Sequence, residues 1–380
     1  MAIDYVICAA GAGSRMMEIN PSVAKPLLKL GGKTLLERSL ESLDLFPGDR
    51  LIILSQKDHG LRAAMEATLA ARYSFCEIHW IEIQGLTRGQ LETALLARPV
   101  LNPEHGVVIF NCDTFFRSRN LTRKLSEPGI DAIIPCSREE GDSWSFCAVA
   151  EDRDGAKVLE VVEKVRISHW CSVGYYHFRT ARLFLELADR YMRLATAGEL
   201  YVAPMYQLMI EEGHHVVLDV VDTFKPMGSL SQLLDYWQAD RSALRRENPL
   251  GTLVVDIDGT LTIDEPGVSY PHKRPRLDVI AKLRDLHERG FEIVLHTARR
   301  MRTHQNDEAK LLADIAQPTL DWLHRHEVPF DGIKFGKPYA QRGFYLDDRA
   351  IRPSEFLAME SSEIEAMLSL EANLASELAT

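Results

Sequence analysis

Residues 1–15 read MAIDYVICAAGAGSR, and the order of residue types in that stretch sets the fold class. The apolar run Tyr5–Ala10 has no basic leader before it and meets glycine at once, so it reads as a buried strand rather than a signal peptide. Outward from it, short apolar or β-branched runs alternate with helical patterns. Lys33–Leu43 reads as a helix, Leu51–Leu54 as a strand, the region near Leu61–Ala71 as a helix and Val107–Phe110 as a strand. Such alternation predicts a parallel sheet covered by helices, an α/β architecture. Beyond Ile130 the strands crowd together, at Ala132–Pro135, Phe146–Ala150, Val158–Val162 and Cys171–Phe178, which predicts a mixed region beside that sheet.

The chain of 380 residues, 46% hydrophobic and 26% charged, has room for two domains of roughly 150 residues or more. That composition excludes a mainly disordered chain, a fibrous repeat or a disulfide scaffold. With 44 basic against 55 acidic residues the net charge is -11, which disfavours nucleic acid and anionic membrane as partners but leaves small anionic substrates open. No run of about 18 apolar residues occurs, so no membrane span is expected. The six cysteines lie in the first half without a CxxC pair, which points to free thiols in a reducing cytoplasm and argues against zinc.

The polar stretch Asp240–Gly251 (DRSALRRENPLG) reads as a linker. A fresh strand, Leu253–Ile257, opens a second α/β unit, followed by a helix at Leu277–Arg289 and strands at Glu292–His296 and Gly343–Leu346. The expected domains are therefore 1–245 and 250–356. Residues 357–380, with apolar side chains at helical spacing from Ser361 to Leu378, form a C-terminal helix that either docks on its own domain or makes an oligomer contact.

Gly11, Ala12, Gly13 and Ser14 follow directly on the first strand, where small residues let successive backbone N–H groups turn toward a triphosphate, and Arg15 adds charge. The loop has neither GxGxxG spacing nor the GKS/T of a P-loop. Lys25 and Pro26 follow, then LLKLGGKTLLERSL from Leu27 to Leu40. A lysine about ten residues past such a loop can bridge phosphates. Asp113, in VVIFNCDTFF, comes just after a buried strand, where open α/β sheets bind ligands.

The stretch AAGAGSRM…KPLLKLGGKTLLERSL resembles the N-terminal signature of the sugar-1-phosphate nucleotidyltransferases and, less closely, of cytidylyltransferases for polyol or choline phosphates. The resemblance extends from about Ala2 to Leu234 and implies a Rossmann-like mixed-sheet domain that uses a nucleoside triphosphate and Mg²⁺. By the same resemblance Arg15 and Lys25 hold phosphates, Asp113 holds the metal, and Gln84, Gly85, Gly89 and Gln90 in QGLTRGQLETA read the base. Glu163 and Lys164 match the pair that faces the sugar phosphate, and Gly174 the glycine near the sugar. The family's second metal aspartate has no counterpart: KPMGSL puts Pro226 at its place, and Asp222, four residues upstream, stands in for it only in a shifted register.

Leu253–Thr262 reads LVVDIDGTLT, a strand ending in two aspartates separated by one residue. Two carboxylates at the end of a hydrophobic strand are electrostatically costly without a cation, so a metal is expected. The run resembles motif one of the haloacid-dehalogenase superfamily phosphatases. That resemblance implies Asp256 as the nucleophile that becomes an aspartyl-phosphate, Asp258 as acid/base, both at the metal, Thr297 as a hydroxyl on the phosphoryl group, Lys337 as the neutralising lysine and Asp347-Asp348 as the acidic pair completing the Mg²⁺ site. Lys334 is the rival for Lys337; GKPYA followed by DDRAI is similar to the small capsule-biosynthesis phosphatases. Only Asp264–Arg276 lies between the first motif and the next helix, so the cap is minimal. The whole reading is a bifunctional enzyme of glycoconjugate precursor synthesis. The alternatives are a cytidylyltransferase for a non-sugar phosphate or phosphonate, or a phosphatase carrying a decayed, regulatory transferase domain.

Overall fold

The computed structural model describes residues 2–194, 198–304, 307–338 and 350–364, and the chain divides into two compact units, 1–247 and 248–380. The first unit is built on a ten-stranded mixed sheet. Its parallel part runs in the order Glu77–Ile83, Arg50–Gln56, Ile3–Ala9, Gly106–Asn111. Tyr175–Phe178, Ala132–Arg138, Trp170–Ser172, Ser145–Val149 and Val158–Glu163 continue it with antiparallel pairings, and Val216–Val220 pairs parallel to Ala132–Arg138.

Both faces of the parallel part are covered, as strands of continuous apolar sequence require. Val6, Ile52 and Ile109 point into one core with Phe184, Leu187, Met205 and Met209 of helices Ala181–Leu194 and Pro204–Glu211. Tyr5, Ile7, Leu51, Ile53, Val108 and Phe110, the alternate residues, point into the other, with Leu61, Met65 and Leu69 of helix Leu61–Arg72.

Several elements differ from the sequence expectation for local reasons. The helix expected over Lys33–Leu43 is Leu35–Leu40, because Lys33–Thr34 pairs with Lys29–Leu30 around Gly31-Gly32. Thr34 then caps the helix: its hydroxyl accepts from Glu37 N–H while the Glu37 carboxylate accepts from Thr34 N–H, an arrangement worth about 1 kcal/mol. The run Cys171–Phe178 is two strands, since the chain changes neighbours at Gly174. The stretch read as a linker is helical at Arg241–Glu247. Asp240 accepts from Ala243 N–H at 2.8 Å, and Leu244 is buried with Met16, Leu28 and Met227 of the first unit.

The second unit has a three-stranded parallel sheet in the order Thr252–Val255, Glu292–Thr297, Gly332–Phe335. Helix Leu277–Arg289 ends at Gly290, whose φ of 109° suits a left-handed cap. With helix Glu308–Arg325 it buries Val279, Ile280, Leu283, Trp322 and Leu323 against Ile293 and Leu295. The strand expected at Gly343–Leu346 and residues 365–380 of the expected C-terminal helix lie outside the described residues. Among the described residues no helix is long and apolar enough to cross a membrane.

Candidate active sites

In the first unit the strands Ile3–Ala9 and Gly106–Asn111 lie side by side and parallel, so the loops that follow them meet at one sheet edge. A cavity of about 470 Å³ opens there, lined by Gly11–Arg15, Lys25, Leu86–Gln90, Asn111–Asp113, Glu199 and Gly228. Gly13 turns the loop at φ 64°, and a Cβ at that position would stand 2.8 Å from Lys25 Cβ. Only glycine lets the loop turn there while the Lys25 stem packs on it. Lys25 begins a short 3-10 turn with Pro26 and extends its ammonium to Asp113 Oδ2 at 2.5 Å and to the Gly228 carbonyl at 3.4 Å. Burial pushes the Asp113 carboxyl up, but the charge and hydrogen bond of Lys25 and the charge of Arg15 outweigh it and hold the group below its ordinary range.

The opposite wall is fastened by backbone bonds. Leu200 N–H donates to Arg88 O at 2.8 Å, and Leu91 N–H to Leu200 O at 2.9 Å. The Thr87 and Thr93 hydroxyls bond at 2.6 Å, and Gln90 Nε2 donates to Asn111 Oδ1 at 2.6 Å, which ties the wall to the strand carrying Asp113. A loop of N–H groups, two cations and one carboxylate can hold a polyphosphate with its metal. Among the described residues no three His, Cys, Asp or Glu side chains cluster closely enough to cage an ion. Asp113 with the Gly228 carbonyl therefore fits a Mg²⁺ that takes its other oxygens from phosphates and water, not a freestanding metal site.

In the second unit the carboxyl ends of three neighbouring parallel strands carry Asp256, Thr297 and, two residues past the third, Lys337. Lys337 Nζ stands 3.3 Å from Asp256 Oδ1, and Lys337 N–H donates to Thr297 O at 3.1 Å. Burial raises the Asp256 carboxyl above its ordinary range despite the Lys337 ammonium, with Asp258 adding to the rise. Thr297 is buried, and its Oγ accepts from Arg299 N–H at 3.1 Å. Asp258 is gripped by Arg299, Nε to Oδ2 at 3.0 Å and NH2 to Oδ1 at 3.2 Å, and by Lys273 Nζ to Oδ1 at 3.1 Å. Arg299 is itself 1% exposed and anchored on the Thr319 hydroxyl at 3.2 Å.

Residues 5–166 match the model of the MobA-like NTP transferase domain. The fold of this transferase unit agrees: a nucleoside-diphosphate-sugar pyrophosphorylase from Vibrio cholerae RC9 is 25% identical over 62% of this chain and 100% of its own, at a TM-score of 0.54. The inositol-1-phosphate CTP transferase of T. maritima, 15% identical over 64% of this chain and 96% of its own, superposes at 0.51. A structural-genomics target protein from Vibrio cholerae is 46% identical over 32% of this chain and 98% of its own, at a TM-score of 0.30. Comparison with curated proteins gives no match.

The transferase unit brings Gly11, Ala12, Gly13, Ser14, Arg15, Lys25, Gly89, Gln90 and Asp113 to one cavity. Gln84 and Gly85 are not among its lining residues; Leu86, Thr87 and Arg88 stand there instead. Asp222 is a correction. It accepts from Arg119 N–H and Nε, both at 2.8 Å, beside the start of strand Thr223–Pro226. Pro226, at the other end, pairs with Thr114 next to Asp113, so Asp222 is displaced by four residues, about 13 Å along a strand. The observed register leaves it at the far end of the strand from Asp113.

Glu163 hydrogen-bonds Ser145 at 2.5 Å and is raised by burial, while Lys164 bonds Tyr201, whose hydroxyl donates to Glu199 on the cavity lining. Gly174 is not among the lining residues; its carbonyl accepts from Asn111 N–H. In the second unit Lys337, not the exposed Lys334, reaches Asp256. The Asp258 carboxylate is held by Arg299 on both oxygens and by Lys273 on Oδ1. Asp347 and Asp348 lie outside the described residues. Asn111, Glu199, Gly228 and Lys273 were missed, and Arg299, which beside Thr297 reads as either a substrate contact or a surface or core residue, was not foreseen as the partner of Asp258. Asn111 had a usable signal: it is the last residue of the strand that leads to Asp113.

Proposed function

We propose that the chain is a bifunctional enzyme whose transferase unit joins a nucleotidyl group to a sugar phosphate or similar small phosphate, and whose second unit hydrolyses a phosphate monoester. The observation that carries the first half is Lys25 and Asp113 facing each other beside the Gly11–Arg15 loop in a cavity of nucleotide size. The acceptor class is supported by the Vibrio cholerae pyrophosphorylase, whose name states a nucleoside-diphosphate-sugar. Backbone N–H groups of the loop hold the triphosphate, Arg15 and Lys25 neutralise it, and the wall from Leu86 to Gln90 takes the base. An acceptor phosphate oxygen then attacks the α-phosphorus in line, the bond to the β-phosphate oxygen breaks and pyrophosphate leaves. Mg²⁺, held on Asp113, supplies charge neutralisation and alignment.

In the second unit Asp256 attacks the phosphorus of the ester and forms an aspartyl-phosphate. Asp258, fixed by Arg299 and Lys273, gives a proton to the departing oxygen and then takes one from the water that cleaves the acyl phosphate. Lys337 and the Thr297 hydroxyl hold the transferring group. A Mg²⁺ would be held by Asp256, with the acidic pair Asp347-Asp348 that the resemblance suggests, and would supply screening between the two anions. Placement in surface-polysaccharide precursor synthesis rests on the family resemblance of both halves.

The test measures pyrophosphate release from CTP, UTP, GTP and dTTP against panels of sugar and alcohol phosphates, and phosphate release from monoesters, with and without a chelator. Release with one base, abolished by chelation, is expected. Preference for an alcohol phosphate or phosphonate would replace the sugar acceptor. Failure of Mg²⁺ and any triphosphate to stabilise the transferase unit thermally would leave a regulatory domain in its place.

A further inference from the structure

Resting on the transferase reading, we infer that the Lys25 ammonium competes with the divalent cation for Asp113 and the Gly228 carbonyl, so that metal binding is conditional on nucleotide. The ammonium lies 2.5 Å from Asp113 Oδ2 and 3.4 Å from the Gly228 carbonyl, both of them oxygens that could serve a cation. The corner is narrow. A side chain at Gly228 would stand 3.3 Å from Asp113 Oδ2 and 3.6 Å from an Arg15 guanidinium nitrogen. Both partners are largely withdrawn from water, with Lys25 12% and Asp113 21% exposed, so the ammonium beside Asp113 opposes a divalent ion at that carboxylate.

The anchorage of Lys25 supplies the release. Its Cβ packs on Gly13, inside the loop that takes the triphosphate, while its head reaches away across the cavity to Asp113. Triphosphate charge in the loop draws the head back over its own anchor and leaves both oxygens to the ion that arrives with the nucleotide. Gly228 N–H donates to Gln232 Oε1 at 2.7 Å, and Met227 N–H to Asp113 O at 2.8 Å, so the backbone at both residues is held independently of the lysine. Exclusion of a free ion and cooperation with a nucleotide-borne one are then the same coupling seen from two sides.

The test titrates Mn²⁺ into the full chain without nucleotide, on an Asp256→Asn background that weakens the second site, and follows bound Mn²⁺ by electron paramagnetic resonance. Lys25→Met is expected to bind at least ten times more tightly than the parent, the gain vanishing in Lys25→Met with Asp113→Asn. Lys25→Arg, which keeps the charge, is expected to stay at the parental affinity. Equal affinities for Lys25→Met and the parent, or a gain in Lys25→Arg, would overturn the inference. Thermal stabilisation by Mg²⁺ with α,β-methylene analogues of the four triphosphates reads the transferase proposal separately. Its failure with the Lys25→Met gain intact sinks that proposal alone, and its success without the gain sinks the plug alone.

Discussion

Each unit sets a carboxylate at the carboxyl end of a parallel strand with a lysine ammonium against it, Lys25 on Asp113 and Lys337 on Asp256. They differ in what surrounds that pair. Asp113 shares its corner with Lys25 and Arg15, an excess of positive charge that a triphosphate can complete. Asp256 has a second carboxylate two residues on, and Asp258 is held in a bidentate grip by a buried arginine with a lysine beside it. Phosphoryl transfer between two substrates needs cations that can shift onto incoming phosphate. A covalent relay needs an acid whose position does not shift at all. The first site sets one carboxylate against two cations, and the second adds a clamped carboxylate to its lysine–aspartate pair.

The largest effect is expected from Asp256→Asn, which removes the proposed nucleophile: monoester hydrolysis should fall roughly 10⁴-fold or more while pyrophosphate release is unchanged, read by separate phosphate and pyrophosphate assays. Asp113→Asn is the mirror experiment. It should lower nucleotidyl transfer roughly 10³-fold and leave hydrolysis intact, because preorganised charge at the reacting phosphorus is lost. If either substitution depresses both activities alike, the sites are not separable and the contrast fails.

Arg299→Lys sharpens the idea of the clamp. Lysine keeps the charge but not the fork that holds both oxygens of Asp258, so kcat for hydrolysis should drop roughly 10²-fold with KM nearly constant. A change confined to KM would instead make Arg299 a substrate contact.

Legibility in the sequence followed how local the determining physics was. The strand ends bearing Asp113, Asp256 and Thr297 were readable because an apolar run followed by a polar residue is a local signal. The clamp was not, since Lys273 and Arg299 reach Asp258 from 15 and 41 residues away. Gln84 and Gly85 were misplaced by two residues because nothing local reveals that Leu200 pins the wall at Arg88 and Leu91. Strand Glu77–Ile83 (EIHWIEI) was overlooked because polar residues interrupt its apolar ones. Its half-buried position at the sheet edge explains that pattern. Asp222 had suggested itself by type alone, and Arg119 claims it.

The smallest effect tests whether the two units differ in acid sensitivity as well as in chemistry. His177 is buried in the transferase unit between strands Gly106–Asn111 and Ala132–Arg138, opposite Val108 and Ile133, and neither ring nitrogen has a hydrogen-bond partner. Burial drives its pKa down to about 3, with Arg179 adding to the fall. The unfolded chain takes up this proton near pH 6.5 and the folded one only near 3, so between those values the unfolded state binds more protons and stability declines as pH falls. The slope is about 1.4 kcal/mol per pH unit at most. His296 and His326 of the second unit are also lowered by burial, but both stay partly exposed, so their contribution is smaller. Urea unfolding of the transferase unit's transition at pH 7.5 and 5.0 should therefore differ more in the parent than in His177→Leu, which keeps the volume and cannot titrate. Parallel pH dependences in the two proteins would mean that the imidazole is reached by water in the folded state, and the acid sensitivity would then have to come from the carboxylates at the sites themselves.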